Sequence, residues 1–455
     1  MQITKVKYKE HPILWDLEID FLNQDTWIPY DTIIFAGENG TWKTTILESL
    51  SIFLSGWTFE YFDYIEYLVD WEILKAINYD AENPSSYYKI RRGHWVEKNM
   101  TISKNTLNKE LDNSPINIRL NWCVFSKARA DYKTKKIQST TTKDLDLEKY
   151  DLDEEDNFTT LKQLLVDIQS QDDEAYSSIN RSSKKSISWE KFYPKSKTYR
   201  FKEAFNNFFE KIKYSSVKNI SDEKTVVFNK NWKEISIDKL STWEKQIVFR
   251  WAYLLKNIKN IKWAAIFIDE PELSMHPKWE QNILNYYKNL FTDWWTQTAQ
   301  IFLATHSEYV IKSALENKDT TLVIILNEKD WIIQQKKIDA PNILKSITSA
   351  ETNYLAFDIV SNDYHIELYW WLQEKENIDT IKKCDTFIKK NTTFYNPKIH
   401  KKPSTFRDSK SQKVYNYETL STYIRNAIHH PDSSISFTDE ELRISIELLR
   451  KICSK

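Results

Sequence analysis

Glycine is scarce in this chain, which has 4 Gly and 18 Trp in 455 residues. An average protein carries glycine at about 7% of its positions. One motif lacks a glycine that its chemistry requires: Trp42 precedes the lysine of GENGTWKTT, residues 37–45. A second segment, LSTWEKQ at residues 240–246, has Trp243 after its threonine. A loop that binds phosphate needs close backbone approach and backbone angles open to glycine, and an indole at position 42 obstructs both. As written, the chain is expected to bind nucleotide poorly.

Paired cysteines, a strong net charge and long apolar runs are absent as well. Cys123, Cys384 and Cys453 are far apart in sequence, which argues against a cysteine zinc site and a disulfide framework and favours a reducing cytoplasm. The net charge of -1 gives no global attraction to nucleic acid, although local basic pairs such as Lys382-Lys383 occur. No apolar run reaches the length of a membrane span. We therefore expect a cytoplasmic protein with no membrane contact.

Tryptophan is as abundant as glycine is rare. Asn231-Trp232 lies between two strand-like runs, where Asn-Gly would be the strongest hairpin signal. We hypothesise that UGA codons read as glycine in the source organism are translated here as Trp. The positions concerned are Trp42, Trp243, Trp232, Trp251, Trp263, Trp15 and Trp27. The alternative is a Trp-rich chain whose nucleotide site is blocked.

A phosphate loop of the form G-x-x-x-x-G-K-[ST], complete apart from Trp42, follows a short apolar run at residues 32–36 and precedes a helical pattern at 44–54. Strand, loop and helix in this order let backbone N–H groups cradle phosphates at a helix N-terminus. The motif predicts that Lys43 reaches the β- and γ-phosphates of ATP and that the Thr44 hydroxyl is a ligand of Mg²⁺. The predicted nucleotide-binding residues of the loop are Gly37, Glu38, Asn39, Gly40, Thr41, Trp42, Lys43, Thr44 and Thr45.

Three further segments follow in order along the chain. LSTWEKQ precedes a helical pattern, the apolar run 264–268 ends in DEPE at residues 269–272, and the run 300–304 ends in THS at residues 305–307. Over roughly residues 1–330 the set resembles the ABC-type ATPase heads, labelled AAA, of RecF, SMC and OLD relatives. The resemblance implies an α/β P-loop NTPase head with a largely parallel sheet and an antiparallel N-terminal β part, followed by a helical C-terminal domain.

The resemblance also implies catalytic roles. Asp269 would hold Mg²⁺ together with Thr44, because carboxylate and hydroxyl oxygens suit this ion. Glu270 would be the base that activates the attacking water. His306 would orient that water or sense the γ-phosphate.

A further implication is a partner subunit. In the family, the segment that LSTWEKQ resembles contacts the nucleotide bound by the opposite subunit, so Ser241, Trp243 and Glu244 would act across a dimer interface. ATP would then promote a head-to-head homodimer, which an indole at position 243 would obstruct. Trp279 is expected to be genuine, because HPKW at residues 276–279 matches a stretch that related ATPases carry with Trp.

The domains are expected to cover residues 1–340, with a polar insertion at about 130–225, and residues 341–455, with a basic connector near 396–407. In the second domain, Arg425, Asn426 and His430 have the R-x(4–6)-H spacing of HEPN domains. That resemblance implies a metal-independent ribonuclease in which His430 is the general acid or base and Arg425 steadies the scissile phosphate. The alternative is an ordinary helix C-terminus, where His429 and His430 suit the helix dipole and Pro431 ends the helix.

The leading interpretation is an ATPase that uses ATP and Mg²⁺, dimerises on ATP and controls a C-terminal effector, an RNase in phage defence with RNA as its substrate. Two alternatives stay open. One is a RecF- or SMC-like switch that works on DNA or with a protein partner through a non-catalytic docking domain. The other is a pseudo-ATPase, if the Trp residues are genuine.

Overall fold

The chain divides into two units, Met1–Lys337 and Ile338–Lys455. The structure, a computed structural model, describes residues 2–55, 59–69, 71–77, 86–93, 95–101, 123–129, 132–146, 150–152, 158–182, 186–220, 222–258, 264–293, 296–338, 343–407, 414–430 and 436–454. Among these residues no helix is long and apolar enough to cross a membrane. Cys123, Cys384 and Cys453 are buried free thiols.

The strands of the first unit are, in chain order, β1 Gln2–Tyr8, β2 Glu18–Asp20, β3 Thr32–Ala36, β4 Phe62–Val69, β5 Glu72–Ile77, β6 Ser86–Arg92, β7 Trp95–Thr101, β8 Cys123–Ser126, β9 Tyr150–Leu152, β10 Ile212–Ile220, β11 Glu223–Lys230, β12 Lys233–Ser236, β13 Ala265–Asp269, β14 Thr292–Asp293, β15 Thr296–Gln297, β16 Gln300–Thr305, β17 Thr321–Lys329 and β18 Ile332–Lys337. Its helices are α1 Lys43–Ser55, α2 Phe158–Ser182, α3 Trp189–Phe192, α4 Tyr199–Phe208, α5 Thr242–Leu255, α6 Pro277–Leu290 and α7 Glu308–Leu315, with single 3₁₀ turns at Tyr193–Lys195 and Ile237–Lys239.

A seven-stranded sheet in the order β18-β17-β3-β16-β13-β8-β9 forms the centre of this unit. Its neighbours pair in parallel, except that β18 pairs antiparallel with β17. The strands β3, β13 and β16 are buried along their whole length, which is the pattern of parallel strands covered on both faces. Their carboxyl ends therefore meet at one edge of the sheet.

An antiparallel sheet in the order β2-β1-β4-β5-β6-β7 lies beside the central sheet. Buried side chains of both sheets form one apolar cluster, in which the Phe21 ring lies 5.4 Å from the Phe302 ring. The expected fold class is thus confirmed: a largely parallel sheet, an antiparallel N-terminal part and a mainly helical C-terminal unit. Before β2, Ile13 and Leu14 form a turn, with both of their N–H groups donating to His11 Nδ1 at 3.1 Å.

The region expected to be a polar insertion contributes to the core of the first unit. Helix α2 buries Phe158, Leu161 and Leu165, and the Phe158 ring lies 5.3 Å from Phe249 of α5. Its buried Lys162 pairs with Asp238 at 2.7 Å. A long charged helix can therefore be polar on average and still be held by one apolar face.

The second unit consists of α8 Ser349–Phe357, α9 Asn362–Lys375, α10 Ile381–Lys390, α11 Pro397–His400, β19 Lys401–Arg407, β20 Val414–Thr419, α12 Leu420–His429 and α13 Asp439–Cys453. Buried apolar side chains of its helices form a separate core. The expected connector near 396–407 is instead a short helix and a strand, and β19 pairs antiparallel with β20. Pro403 lies where the pairing register shifts between Lys401 and Ser404, so its missing N–H breaks no regular ladder.

Tryptophan is the residue type that most often has positive φ among the described residues other than glycine, at six of fifteen positions. Positive φ angles of 51° to 68° occur at Trp15, Trp27, Trp42, Trp71, Trp232 and Trp331. Asn231-Trp232 joins β11 to β12 and Asp330-Trp331 joins β17 to β18, and in both two-residue turns each residue has positive φ. This is the pattern of the type I′ turn, whose second residue is usually glycine.

The left-handed set overlaps the hypothesis drawn from composition only in part. It includes Trp15, Trp27, Trp42 and Trp232, and it adds two positions that composition did not single out, Trp71 and Trp331. The remaining candidates differ. Trp243 and Trp251 belong to helix α5, and Trp263 lies outside the described residues.

Candidate functional site

The phosphate loop connects β3 to α1 at the carboxyl edge of the central sheet. Gly37 has φ 144°, and a Cβ atom there would lie 2.3 Å from the Leu326 carbonyl oxygen, so this position requires glycine. The Lys43 ammonium donates to the carbonyl oxygens of Gly37 at 3.1 Å and Glu38 at 2.8 Å. Burial lowers its pKa, against the opposing effect of Glu270, Asp269 and Glu272. A buried lysine thus lies at the loop with three carboxylates in its electrostatic surroundings.

Trp42 is the residue of this loop that conflicts with phosphate binding. Its φ is 62°, a conformation that costs an L-residue about 1–2 kcal/mol, and its indole is 43% exposed. The flanking residues follow the predicted arrangement, since Thr41 Oγ1 donates to the Glu38 carbonyl at 2.8 Å and α1 begins at Lys43. Asn39, Gly40 and Thr45 complete the loop and the first turn of α1.

A hydroxyl and a carboxylate meet where the helix faces the next strands. Thr44 Oγ1 donates to Asp269 Oδ1 at 3.0 Å, although the two residues are 225 positions apart. Burial raises the pKa of Asp269, and the hydrogen bond from Thr44 opposes that rise. Two hard oxygen ligands at one point, one of them a buried carboxylate in need of a positive partner, fit Mg²⁺.

Glu270 and His306 form a pair beside this point. Glu270 follows β13, has the strained φ of 40°, and donates its N–H to the Ala304 carbonyl at 2.9 Å. His306 follows β16, and its Nδ1 lies 3.5 Å from Glu270 Oε1. The hydrogen bond to His306 lowers the pKa of Glu270, and the same bond raises the pKa of His306. The structure therefore brings the predicted base and the predicted water-orienting histidine together.

Glu272 is a further carboxylate beside His306, and the sequence motifs assign it no role. Its side chain is buried, and Oε1 accepts hydrogen bonds from Thr305 Oγ1 at 2.6 Å and from the His306 N–H at 3.0 Å. The same oxygen lies 3.7 Å from His306 Nδ1. Glu272 thus fixes both the backbone and the ring of the histidine. The sequence signal for Glu272 is its place in the DEPE motif, two residues after Glu270.

Arg250 is a further residue of the site that the sequence motifs do not indicate. It lies on α5, is buried, and donates from Nη1 to the Asp269 carbonyl at 2.8 Å and from Nη2 to the Lys127 carbonyl at 2.9 Å. The guanidinium therefore joins the helix that follows Ser241 to the ends of β13 and β8. Nothing in the spacing of the sequence marks this arginine, since its partners are backbone atoms.

The LSTWEKQ segment forms the start of α5. Ser241 is exposed at the N-cap, and its N–H donates to Glu244 Oε2 at 2.8 Å. Glu244 is buried and its Oε1 accepts from Lys230 at 2.7 Å, so within this chain it caps the helix rather than facing outward. The Trp243 ring lies 5.8 Å from the ring of Trp279. Contact of these residues with a nucleotide on a second subunit stays a prediction.

The three predicted residues of the second unit lie at the end of α12. Arg425 Nη1 donates to Asn426 Oδ1 at 3.1 Å, and the His430 N–H donates to the Asn426 carbonyl at 3.0 Å. Asn426 is buried and Arg425 half-buried. The His430 ring lies 4.5 Å from the ring of Phe406 on β19. Asn426 thus links the arginine to the backbone of the histidine.

His429 is a further titratable group at this end of α12. It is one helical turn after Arg425, so the two side chains share a helix face. Burial lowers the pKa of His429, and the charges of Arg425 and His430 lower it further. Burial also lowers the pKa of Arg425. A neutral imidazole therefore lies near the guanidinium at neutral pH.

Known proteins resemble this chain in sequence. Residues 56–312 match the family described as AAA domain, putative AbiEii toxin, Type IV TA system. A segment of the chain is 32% identical over 111 residues to the retron Vc95 probable ATPase of Vibrio cholerae serotype O1 biovar El Tor. That match covers 22% of this chain and 20% of the retron protein, so the chain spans about a fifth of the relative's length.

Solved structures with a similar arrangement are SMC heads. An SMC head bound to the C-terminal winged-helix domain of ScpA has a TM-score of 0.41 at 11% identity, covering 74% of this chain and 99% of that one. The SMC head domain from Thermotoga maritima has a TM-score of 0.36 at 11% identity, covering 75% of this chain and all 100% of that one.

Proposed function

The chain belongs to the AAA domain family described as putative AbiEii toxin, Type IV TA system, and from this premise we propose that it binds ATP with Mg²⁺ and hydrolyses it. The observation that carries the proposal is the meeting of Lys43, Thr44, Asp269, Glu270 and His306 at the carboxyl ends of β3, β13 and β16. Phosphoryl transfer needs positioning and charge neutralisation more than covalent chemistry, and these residues supply both.

In the proposed reaction Glu270 accepts a proton from water as the water oxygen forms a bond to the γ-phosphorus. The bond from that phosphorus to the β–γ bridging oxygen breaks, and ADP and phosphate leave. Glu270 is anionic at neutral pH, and the hydrogen bond to His306 lowers its pKa further below the ordinary value. Lys43 offsets charge on the β- and γ-phosphates. Thr44 and Asp269 would hold Mg²⁺, which supplies further neutralisation of the phosphate oxygens when bound.

The site requires glycine at position 42, and we propose that the natural protein has it there. Six left-handed Trp residues support this proposal, because non-glycine residues rarely adopt positive φ and those that do are mostly Asn, Asp or His. Glycine at 42 would keep the backbone path and remove the indole from the loop. For position 243 the support differs: Ser241 and Thr242 are exposed at the start of α5, and a glycine after them would open the approach to a second subunit.

Two further parts of the proposal concern assembly and effector. ATP binding promotes a homodimer in which the start of α5 of one subunit contacts the nucleotide of the other. The second unit acts as an RNase, with His430 as general acid or base at the RNA 2′-hydroxyl and Arg425 at the scissile phosphate. The family description names a toxin of a toxin–antitoxin system and the relative is a retron protein, which supports a role in defence.

The decisive experiment measures phosphate release from ATP and Mg²⁺ by the W42G/W243G variant. We expect multiple turnovers, little or no hydrolysis by the chain as written, and none by W42G/W243G with E270Q added. Failure of W42G/W243G to bind ATP at millimolar concentration would refute the ATPase proposal. ATP-dependent dimerisation, measured by light scattering with E270Q in place to trap the nucleotide, tests the assembly.

The effector is tested separately in cells. Expression of W42G/W243G is expected to cause growth arrest with RNA cleavage, and H430A is expected to remove both. R425K, which retains charge but loses the planar fork, should reduce cleavage. If H430A leaves arrest and RNA cleavage unchanged, the ribonuclease part of the proposal fails while ATP hydrolysis stands.

A further inference from the structure

Basic and acidic residues are unevenly distributed along the sequence of the second unit. Residues 381–413 contain ten Lys or Arg and two Asp, whereas residues 338–380 and 414–455 together contain seven Lys or Arg and fourteen Asp or Glu. One of the two Asp, Asp385, is buried and accepts hydrogen bonds from the Thr419 N–H at 3.0 Å and the Thr419 hydroxyl at 2.7 Å. It therefore does little to neutralise the surface. The segregation is what a site for a polyanion requires.

Lysines of this segment gather around one carboxylate. Lys389 pairs with Glu418 at 2.7 Å. The hydrogen bond and charge of Lys389 lower the pKa of Glu418, and the charges of Lys401 and Lys382 lower it further. Lys382, Lys389 and Lys401 are exposed. Three ammonium groups around one carboxylate leave an excess of positive charge at the surface, which phosphate groups can neutralise.

A row of aromatic rings runs from these lysines along the hairpin. The Lys382 ammonium lies 5.8 Å from the Tyr417 ring centre, and the Tyr417 ring lies 6.5 Å from Tyr415 at an interplanar angle of 16°. Tyr415 pairs directly with Phe406 across β19 and β20, and the Phe406 ring lies 4.5 Å from His430. Tyr415 and Phe406 are half-exposed, whereas Tyr417 is buried beneath the surface. Directly paired residues point to the same face of a sheet, so the row is continuous.

We propose that this surface, the lysines Lys382, Lys389 and Lys401 with the rings of Tyr415 and Phe406, binds single-stranded RNA and leads it to His430. Ammonium groups would hold the phosphates while half-exposed rings stack on bases. Only a single strand presents unstacked bases to such rings. RNA rather than DNA is assigned because the row ends at His430, and this clause rests on the ribonuclease part of the proposed function. We call this surface the basic face.

The test is fluorescence anisotropy of the full chain with a 12-nucleotide single-stranded RNA, the same sequence as DNA, and an RNA duplex, at 50 and 200 mM salt. We expect the chain to prefer the single-stranded RNA. K382Q/K401Q should reduce the slope of log K against log salt by about 1.4, because each phosphate contact to a single strand contributes about 0.7. The matched control K233Q/K345Q removes the same charge from exposed lysines elsewhere and should leave the slope unchanged.

The aromatic row is tested by Y415A, for which we expect about tenfold weaker RNA binding, since stacking of one base on a ring has that order of effect. Y415F keeps the ring and should bind as the unaltered chain does. The basic face is refuted if the chain fails to bind RNA at 50 mM salt, or if K382Q/K401Q and K233Q/K345Q behave alike. Equal affinity for RNA and DNA would overturn the assignment to RNA.

The variant H430A separates the two proposals. His430 lies beyond the lysines, so the RNA affinity of H430A should stay within about twofold of that of the unaltered chain, while any cleavage is lost. If RNA binding depends on Lys382 and Lys401 but no variant cleaves RNA, the ribonuclease proposal fails and the basic face stands. If K382Q/K401Q still cleaves RNA and binds it as tightly as the unaltered chain, the basic-face proposal fails and the ribonuclease proposal stands.

Discussion

The guanidinium of Arg250 donates to the main-chain carbonyl of Asp269 at 2.8 Å, and thereby joins α5 to the strand end that carries the candidate metal ligand. Its second nitrogen donates to the Lys127 carbonyl at 2.9 Å. Because α5 begins at the exposed Ser241, one rigid helix connects a candidate dimer contact with the catalytic carboxylates. Movement of α5 at an interface would be transmitted to Asp269 through this buried arginine.

The first prediction concerns this link. In the W42G/W243G background, R250K should lower kcat at least about tenfold, because an ammonium group cannot donate to both carbonyls in the fixed geometry of a guanidinium. KM for ATP should change little, since Lys43 and the loop are untouched. Steady-state kinetics measures both. Unchanged kcat in a folded R250K protein would show that Arg250 is only a packing residue.

The second prediction concerns the left-handed turns. Trp232 is 101% exposed and Trp331 is 86% exposed, so their rings lose little when removed. W232G and W331G should each raise the free energy of unfolding by about 1 kcal/mol through relief of backbone strain. W251G is the contrast, because Trp251 is buried in α5 and its loss should cost about 3–5 kcal/mol. Urea unfolding decides the signs, and destabilisation by W232G would contradict the argument.

A third prediction separates binding from chemistry at the catalytic pair. In the W42G/W243G background, E270Q should keep ATP affinity within a few-fold while hydrolysis falls by about 10²–10⁴-fold, the usual contribution of a general base. E316Q removes an exposed carboxylate at the end of α7 and serves as the control with normal turnover. Equilibrium binding of a fluorescent ATP analogue and phosphate release give the two readouts. Normal turnover by E270Q would move the base to another residue.

The fourth prediction is a pH dependence of stability from His306 and Glu270. The pKa of His306 is raised above its ordinary 6.5, so its contribution is full below about that pH and is lost as pH rises through the higher folded value. The pKa of Glu270 is lowered from 4.5, so its contribution is present above that value and is lost as pH falls through the lower folded one. The pair should stabilise most between these limits. Melting curves of H306N from pH 4 to 9 should lack the alkaline loss seen in the unaltered chain.

The fifth prediction uses His365 of the second unit. This ring is buried, donates to or accepts from Ser445 Oγ at 2.9 Å, and burial lowers its pKa to about 3. The unfolded chain binds a proton on this residue below about pH 6.5, so stability should fall with acid from there down to about pH 3. The shift from 6.5 to about 3 corresponds to a loss of about 5 kcal/mol. H365Q should show a shallower acid dependence in urea unfolding followed between pH 7 and 4.

The parts of the site that sequence predicted are those fixed by local order. Thr44 and Asp269 follow from a strand–loop–helix context and from a strand that ends in acids, and the parallel sheet then brings them together at 3.0 Å. Arg250 escaped prediction because it binds backbone carbonyls from two strands, and no residue pattern records such partners. Contacts of this kind depend on the tertiary arrangement alone.

The second unit shows the same limit in its hairpin. Lys401–Arg407 contains proline and five charged or small polar residues, which is typical of a connector, yet it pairs with Val414–Thr419. Packing of β20 against α10 and α12 overrides the weak local preference, as is common for strands. Trp71 and Trp331 could not be predicted for another reason: such turns are recognised in a sequence by glycine, and these two positions carry Trp.

Trp42 in the phosphate loop also affects whether the gene can function after transfer to another organism. If the natural protein has glycine there, a cell that reads the same codon as tryptophan makes a chain with an indole in the loop and a left-handed strain at φ 62°. The gene would then be inert in any recipient that reads this codon as tryptophan until that codon mutated. A single backbone angle at one loop position would in this way confine a defence system to hosts that share its genetic code.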